Sequence, residues 1–199
     1  RLAAARTELR PVAAPPLVTA PLPAIDPPPT ASAEALALRR EACGAPGLDP
    51  SRAYRLLGDG QRPDRTLWVT PCLGGAGLGQ TLFVVQNADG SAEPTAFPGW
   101  SPERPTGHPG LIASAHFDAA TGRVVELWRA REAPASGGAC GIRRHWGWTG
   151  QAFELAHESR STSCAGFLTG YWPRLFHREM VVPAANARSA VAAGFRVPC

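Results

Sequence analysis

Lysine is missing altogether: the 199-residue chain carries 20 basic residues, every one an arginine, against 16 acidic ones, for a formal net charge of +4. The arginines are scattered, their tightest groups being the pairs Arg39-Arg40 and Arg143-Arg144. No basic stripe alternates with aromatics, so the charge excess points to no nucleic-acid partner. With Ala, Gly and Pro abundant, the missing lysine reads as the composition of a GC-rich genome. No run of 18 or more apolar residues occurs, so no stretch is long enough for a helical transmembrane segment. The chain starts at Arg1 without a tripartite export signal. The expectation is a natural N-terminus further upstream and a signal peptide that has been removed.

Chemical signatures are equally sparse. No two of the five cysteines form a CxxC pair, which leaves a four-cysteine zinc knuckle unsupported. No serine stands in a G-x-S-x-G elbow. The histidines, His108, His116, His145, His157 and His177, form neither HExxH nor any dense ligand spacing. Gly74-Gly75-Ala76-Gly77 fits neither a Walker loop nor a dinucleotide fingerprint and reads as a tight connection between strands. The sequence therefore names no catalytic residue, no cofactor and no metal ligand set, although groups from distant strands can still converge in a fold.

What is present begins with proline. Residues 11–29 contain eight prolines in nineteen positions. Proline fixes φ and removes an amide donor, which predicts an extended, unpaired, semi-rigid spacer with something at each of its ends. Residues 32–42 then predict a helix, with Ser32 as its cap, Glu34 in the first turn and Gly44 and Pro46 as its stop. Leu36, with Ala33 and Arg40, marks its partly apolar face.

Beyond it the hydrophobic period shifts towards two. Strands are predicted over 53–57, 66–71, 80–86, 111–118, 123–129, 143–149 and 152–158. Asp118–Gly122 and the Thr149-Gly150 step read as hairpin turns, with Gly150 able to take positive φ. The proline-rich stretch 87–110 is long for a loop and is a candidate flap or surface excursion. The expected fold is mainly β, an antiparallel sandwich or partly closed barrel with one N-terminal helix. The expected organisation is a linker over 1–30, the β-rich domain over 31–180 and a C-terminal tail over 181–199.

Two segments carry a resemblance. Cys140–Glu179, CGIRRHWGWTGQAFELAHESRSTSCAGFLTGYWPRLFHRE, holds Cys-Gly, a Trp-x-Trp strand, Phe-x-Leu, Cys-x-Gly and Trp-Pro in that order. Thr66–Val85 holds Leu-Trp-x-x-Pro-Cys followed by a Gly-Ala loop. Together they resemble the exported bacterial family catalogued as domain of unknown function 1176, over roughly Ala31 to Glu179, the half that follows a proline-rich linker. The resemblance implies a periplasmic or extracellular location and no assigned activity. Ala165 and Leu78-Gly79 stand where that family usually has Arg and Tyr-Asn.

Four cysteines fall inside the matching region. Local pairing gives Cys43–Cys72 and Cys140–Cys164, one of three connectivities that four cysteines allow. Each bridge closes a loop of about 25 to 30 residues and contributes roughly 3–4 kcal/mol. Cys199 is left over. A two-residue loop at Thr149-Gly150 sets Trp146 opposite Phe153 and puts Trp146, Trp148, Phe153 and Leu155 on one face. That face is a core, with a sugar-stacking platform as the sharper alternative.

The same register sets His145 opposite Glu154, either an ordinary exposed cross-strand pair or a general-base unit. Tyr171 and Trp172 close the matching segment, with core anchoring the plainer role for Trp172. His145, Glu154, Tyr171 and Trp172 are the candidate binding residues. The expected function is a non-catalytic envelope module that binds an envelope protein, peptide or polysaccharide. The alternative is a hydrolase or metal-dependent enzyme built from His145, Glu154, His157 or His177.

Overall fold

The computed structural model describes residues 15–44, 51–56, 65–72, 79–98, 108–129, 140–161 and 173–181. Two antiparallel sheets lie face to face, and one helix covers the outer side of the first. Strands β2 (Arg52–Leu56), β3 (Arg65–Cys72), β4 (Gln80–Gln86) and β5 (Ala92–Pro94) run in that order in the first sheet. β6 (Leu111–Ala113) pairs with the other end of β4. The second sheet runs β7 (His116–Asp118), β8 (Arg123–Arg129), β9 (Gly141–Trp148), β10 (Phe153–Ser161) and β11 (Arg174–His177). The sheets do not close on each other, so of the two expected architectures the sandwich is the one formed.

The period of two makes the core. Tyr54, Leu67 and Val85 share one row across β2, β3 and β4. They face Val124, Trp146, Trp148 and Phe153 of the second sheet, and all are buried. Phe97, just past β5, fills the gap between the layers, with its ring about 5 Å from those of Phe83, Trp146 and Phe153. Burying rings of this size accounts for most of the hydrophobic stabilisation of the sandwich.

The predicted strand over 111–118 is two strands. Ser114 sits at φ 47, a left-handed conformation that ends β6 in one sheet and redirects the chain into β7 of the other. The 118–122 turn forms as expected. Asp118 accepts hydrogen bonds from the Ala120 amide and the Thr121 hydroxyl. Gly122 has φ 63, and a Cβ there would collide with the Ala20 carbonyl, so no other residue fits.

Helix α1 (Ala33–Cys43) starts and stops where its signals stand. The Ser32 hydroxyl accepts from the Ala35 amide, and Gly44, at φ 76, donates to the Arg40 carbonyl. Its buried stripe is not the one around Leu36, which is 40% exposed. Ala35, Leu38, Ala42 and Cys43 pack on Ala53, Trp68, Leu82 and Val84 instead. The Cys43–Cys72 disulfide, with Cα atoms 5.1 Å apart, joins the last turn of α1 to the end of β3 and fixes this rotation.

The proline-rich segment, expected to be unpaired, is not so from residue 15 onwards. Leu17 and Leu22 are 2% and 3% exposed. β1 (Leu17–Val18) pairs in parallel with β12 (Met180–Val181). The amides of Ala20, Leu22 and Ile25 bond to Trp148, Ala119 and Ala53. The residues between the prolines keep their N–H groups, and those groups tie the segment to both sheets. The 87–110 stretch likewise contributes a turn and β5 to the first sheet; its residues 99–107 lie outside the described ones.

Candidate functional site

The aromatic hairpin of β9 and β10 forms, in a different register from the expected one. The connection is four residues long, Thr149–Ala152, so Trp148 faces Phe153, Trp146 faces Leu155 and Gly147 faces Glu154. Trp146, Trp148 and Phe153 are buried, Leu155 packs against them, and the Trp146 indole donates to the Pro98 carbonyl at 2.9 Å. These residues are core, and no sugar platform is formed by them.

The expected His145–Glu154 pair is not made. Glu154 is held by Arg178 at 2.9 Å. An extra residue, Ala156, bulges out of β10 after Leu155, and its carbonyl accepts from the Arg178 amide. The bulge moves the register by one residue. His157, rather than Ala156, comes to lie opposite His145, and His157 in turn lies opposite His177 on β11. On the other side His145 faces Val125, which faces His116 on β7. Four of the five histidines thus share one transverse row on the outer face of the second sheet.

Three of them are in ring contact. The centroids of His145 and His157 lie 4.9 Å apart, and those of His157 and His177 5.7 Å apart. The next row along the face runs Leu127, Arg143, Ser159 and Arg174. On the other flank Arg123 lies opposite Gly147. The setting is therefore cationic. Burial pushes His145 down to about 4 from the ordinary 6.5, and Arg143, His157, Arg123 and His177 push the same way. His157 is also lowered, by burial first and then by His177, Arg143 and Arg174, with Glu158 opposing weakly. His145 Nε2 is buried without a hydrogen-bond partner among the described residues. At neutral pH His145 and His157 are uncharged imidazoles inside a positive field.

Such a field repels a divalent cation, and no three His, Cys, Asp or Glu side chains among the described residues are arranged to hold one. Among the described residues no carboxylate is hydrogen-bonded to these imidazoles: Glu154 is taken up by Arg178, Glu158 by Arg144, and Asp118 by its own turn. Hydrogen-bond donors and positive charge are what this face offers.

On the inner side of the same strands is a feature that the sequence reading missed. Glu126, Arg144 and Glu158 form one cross-strand row. Arg144 Nε donates to Glu158 at 2.7 Å, and its Nη1 lies 3.7 Å from Glu126, with Arg144 and Glu126 both buried. The signal was available, since Arg144 is in phase with Trp146 and Trp148, and Glu126 with Val124. Charges on the core phase of a strand announce a buried ion pair.

The remaining sequence candidates, Tyr171, Trp172, Cys164 and Cys199, lie outside the described residues, as does the 74–77 glycine loop. Cys140 is disulfide-bonded, and Cys164 is the partner we propose for it. On the first sheet, α1 leaves only a cleft of about 210 Å³, walled by Pro29, Ala35, Leu36, Arg39 and Trp68. That is below the range of small-molecule sites, roughly 300–1,000 Å³.

Fold and face together define a disulfide-braced β-sandwich module with one helix-covered sheet and one polar, arginine- and histidine-bearing sheet. The chain belongs to the family described as protein of unknown function (DUF1176), whose model matches residues 2–179. The match takes in the proline-rich segment as well as the sandwich. No curated protein and no solved structure matches the chain.

Proposed function

We propose that this chain is a non-catalytic binding module working outside the cytosol, in the periplasm or at the cell surface. It engages an envelope protein, peptide or polysaccharide through the outer face of the second sheet. The observation that carries the reading is the contrast between coverings. The first sheet is sealed by α1, while the second shows Arg143, Arg174, His157 and His177 on a face over which the described residues lay no helix. Charged and aromatic side chains held on rigid strands make a preorganised binding surface. The Cys43–Cys72 bridge supports the compartment, because disulfides persist where the surroundings are oxidising. No helix among the described residues is long and apolar enough to cross a membrane.

The test is co-sedimentation of the full chain with washed envelope fragments. Arg174→Glu with His177→Glu, both exposed positions, should abolish association. Arg40→Glu with Arg52→Glu, exposed on the helix and first sheet, should leave it unchanged. The reverse pattern, or equal retention by all variants, contradicts the assignment of the face.

A further inference from the structure

We infer that the Arg143–Arg174–His157–His177 quadrilateral on the second sheet is a binding site for a phosphate group. The inference deepens the proposed binding function and rests on its choice of face.

Arg143 and Arg174 lie on either side of Ser159, two strands apart, which is about 10 Å between backbones at the usual strand spacing. Side chains as long as arginine's can close on one ligand across that span. Among the described residues neither guanidinium has a carboxylate within ion-pair distance. This distinguishes them from Arg160 and Arg178, which each have one, and from Arg144, which has two. The imidazoles of His157 and His177 stand one row away on the same face.

Two guanidiniums bring five N–H donors each, and each imidazole brings one or two. A planar carboxylate has two oxygens to meet them, whereas a phosphate offers three or four around a tetrahedron, so the donor count favours phosphate. A divalent metal is disfavoured by the same arginines.

The neighbourhood also sets the pH dependence. Around the row stand Arg123 on β8, Arg143 on β9 and Arg174 on β11, with His116 beyond Val125; Glu158, next to His157 in β10, is turned to Arg144 in the inner row. Leu17, Thr19 and Met180 of the β1/β12 ribbon, which pack on Gly147, bring no side-chain charge. Arg178 is matched by Glu154. Acid protonates His157 against this positive field, and a bound anion relieves the repulsion. Affinity therefore rises as pH falls from about 7.5 to about 5.5.

The experiment is isothermal titration of the full chain with tripolyphosphate at pH 7.5 and pH 5.5. Sulfate, whose charge is constant over that interval, serves as a control for titration of the ligand. Binding that strengthens several-fold at pH 5.5 is expected. Arg143→Gln with Arg174→Gln should weaken it at least roughly tenfold, the loss of one charge-assisted contact or more. Arg40→Gln with Arg52→Gln should leave it within a factor of about two, since a distant charge is screened by salt. An unchanged thermal midpoint confirms that the double variant is folded.

Phosphatidylglycerol vesicles against phosphatidylcholine vesicles separate a lipid headgroup from a free or glycan-borne phosphate as the source. Equal binding by both double variants, affinity that falls with acid, or zinc bound more tightly than phosphate would each overturn the inference. If phosphate fails while envelope association still depends on Arg174 and His177, the site assignment falls and the binding face stands. If both fail, so does the face.

Discussion

The two sheets use the same backbone architecture for opposite ends. The first is buried on both sides. Leu67, Val69, Phe83 and Val85 face the sandwich interior, while Ala53, Trp68, Leu82 and Val84 lie under α1. Its strands accordingly read as near-continuous apolar runs, LWV and LFVV. In the second sheet β9 alternates instead, Trp146 and Trp148 inward and Arg143 and His145 outward. A sheet with two buried faces is a stability element, whereas the second keeps arginine and three touching imidazoles on an outer face that, among the described residues, the β1/β12 ribbon covers at Gly147, and that is the face proposed for recognition.

This contrast can be broken in graded steps. Trp146→Ala empties the interior between the sheets and should cost about 3–5 kcal/mol in urea denaturation. Removing the helix brace with Cys43→Ser and Cys72→Ser should cost about 3.5 kcal/mol, the chain-entropy value for a loop of this length, read from the same measurement. Arg144→Ala leaves Glu126 and Glu158 without the cation between them and should cost about 3 kcal/mol. That is the low end for a buried pair, because Glu158 keeps Arg160 near it.

A smaller effect is expected from acid. His145 is held down to about 4 in the folded chain against an ordinary 6.5, so between those values the unfolded chain binds the extra proton. Stability therefore falls as pH drops from 6.5 towards 4, and His145→Gln should flatten that slope in a series of melts. The smallest effect belongs to His177→Ala, an exposed edge position, where the unfolding free energy should change by no more than about 0.5 kcal/mol. A loss as large as that of Trp146→Ala would mean that the outer face is structural after all.

Much of the scaffold was legible in the residues because local rules decide it. Ser32 and Gly44 bound a helix by satisfying its free amides and carbonyls, and the period of two marked most strands and the core tryptophans. Pairing across strands was less legible. The four-residue turn at Thr149–Ala152 and the bulge at Ala156 both shift register; the turn is closed by Thr149, whose amide and hydroxyl donate to the Ala152 carbonyl, whereas the bulge is held by a contact distant in sequence. The bulge carbonyl, for instance, bonds to Arg178, 22 positions further on. A two-residue turn pairs His145 with Glu154; the longer turn moves Glu154 opposite Gly147, and the bulge then brings His157 opposite His145. The attachment of the proline-rich segment was hidden similarly: composition spoke for a spacer, while Leu17 and Leu22 had a core to enter.

The most direct test of the account is a site-resolved titration of the imidazoles, by nuclear magnetic resonance of histidine-labelled protein with single His→Gln variants for assignment. The assembled row predicts that His145 stays neutral down to about pH 4 and that His157 titrates below 6.5. It also predicts that replacing His157 raises the His145 value, since one repelling neighbour is gone. Independent titration of His145 and His157 near 6.5, indifferent to each other's replacement, would contradict it.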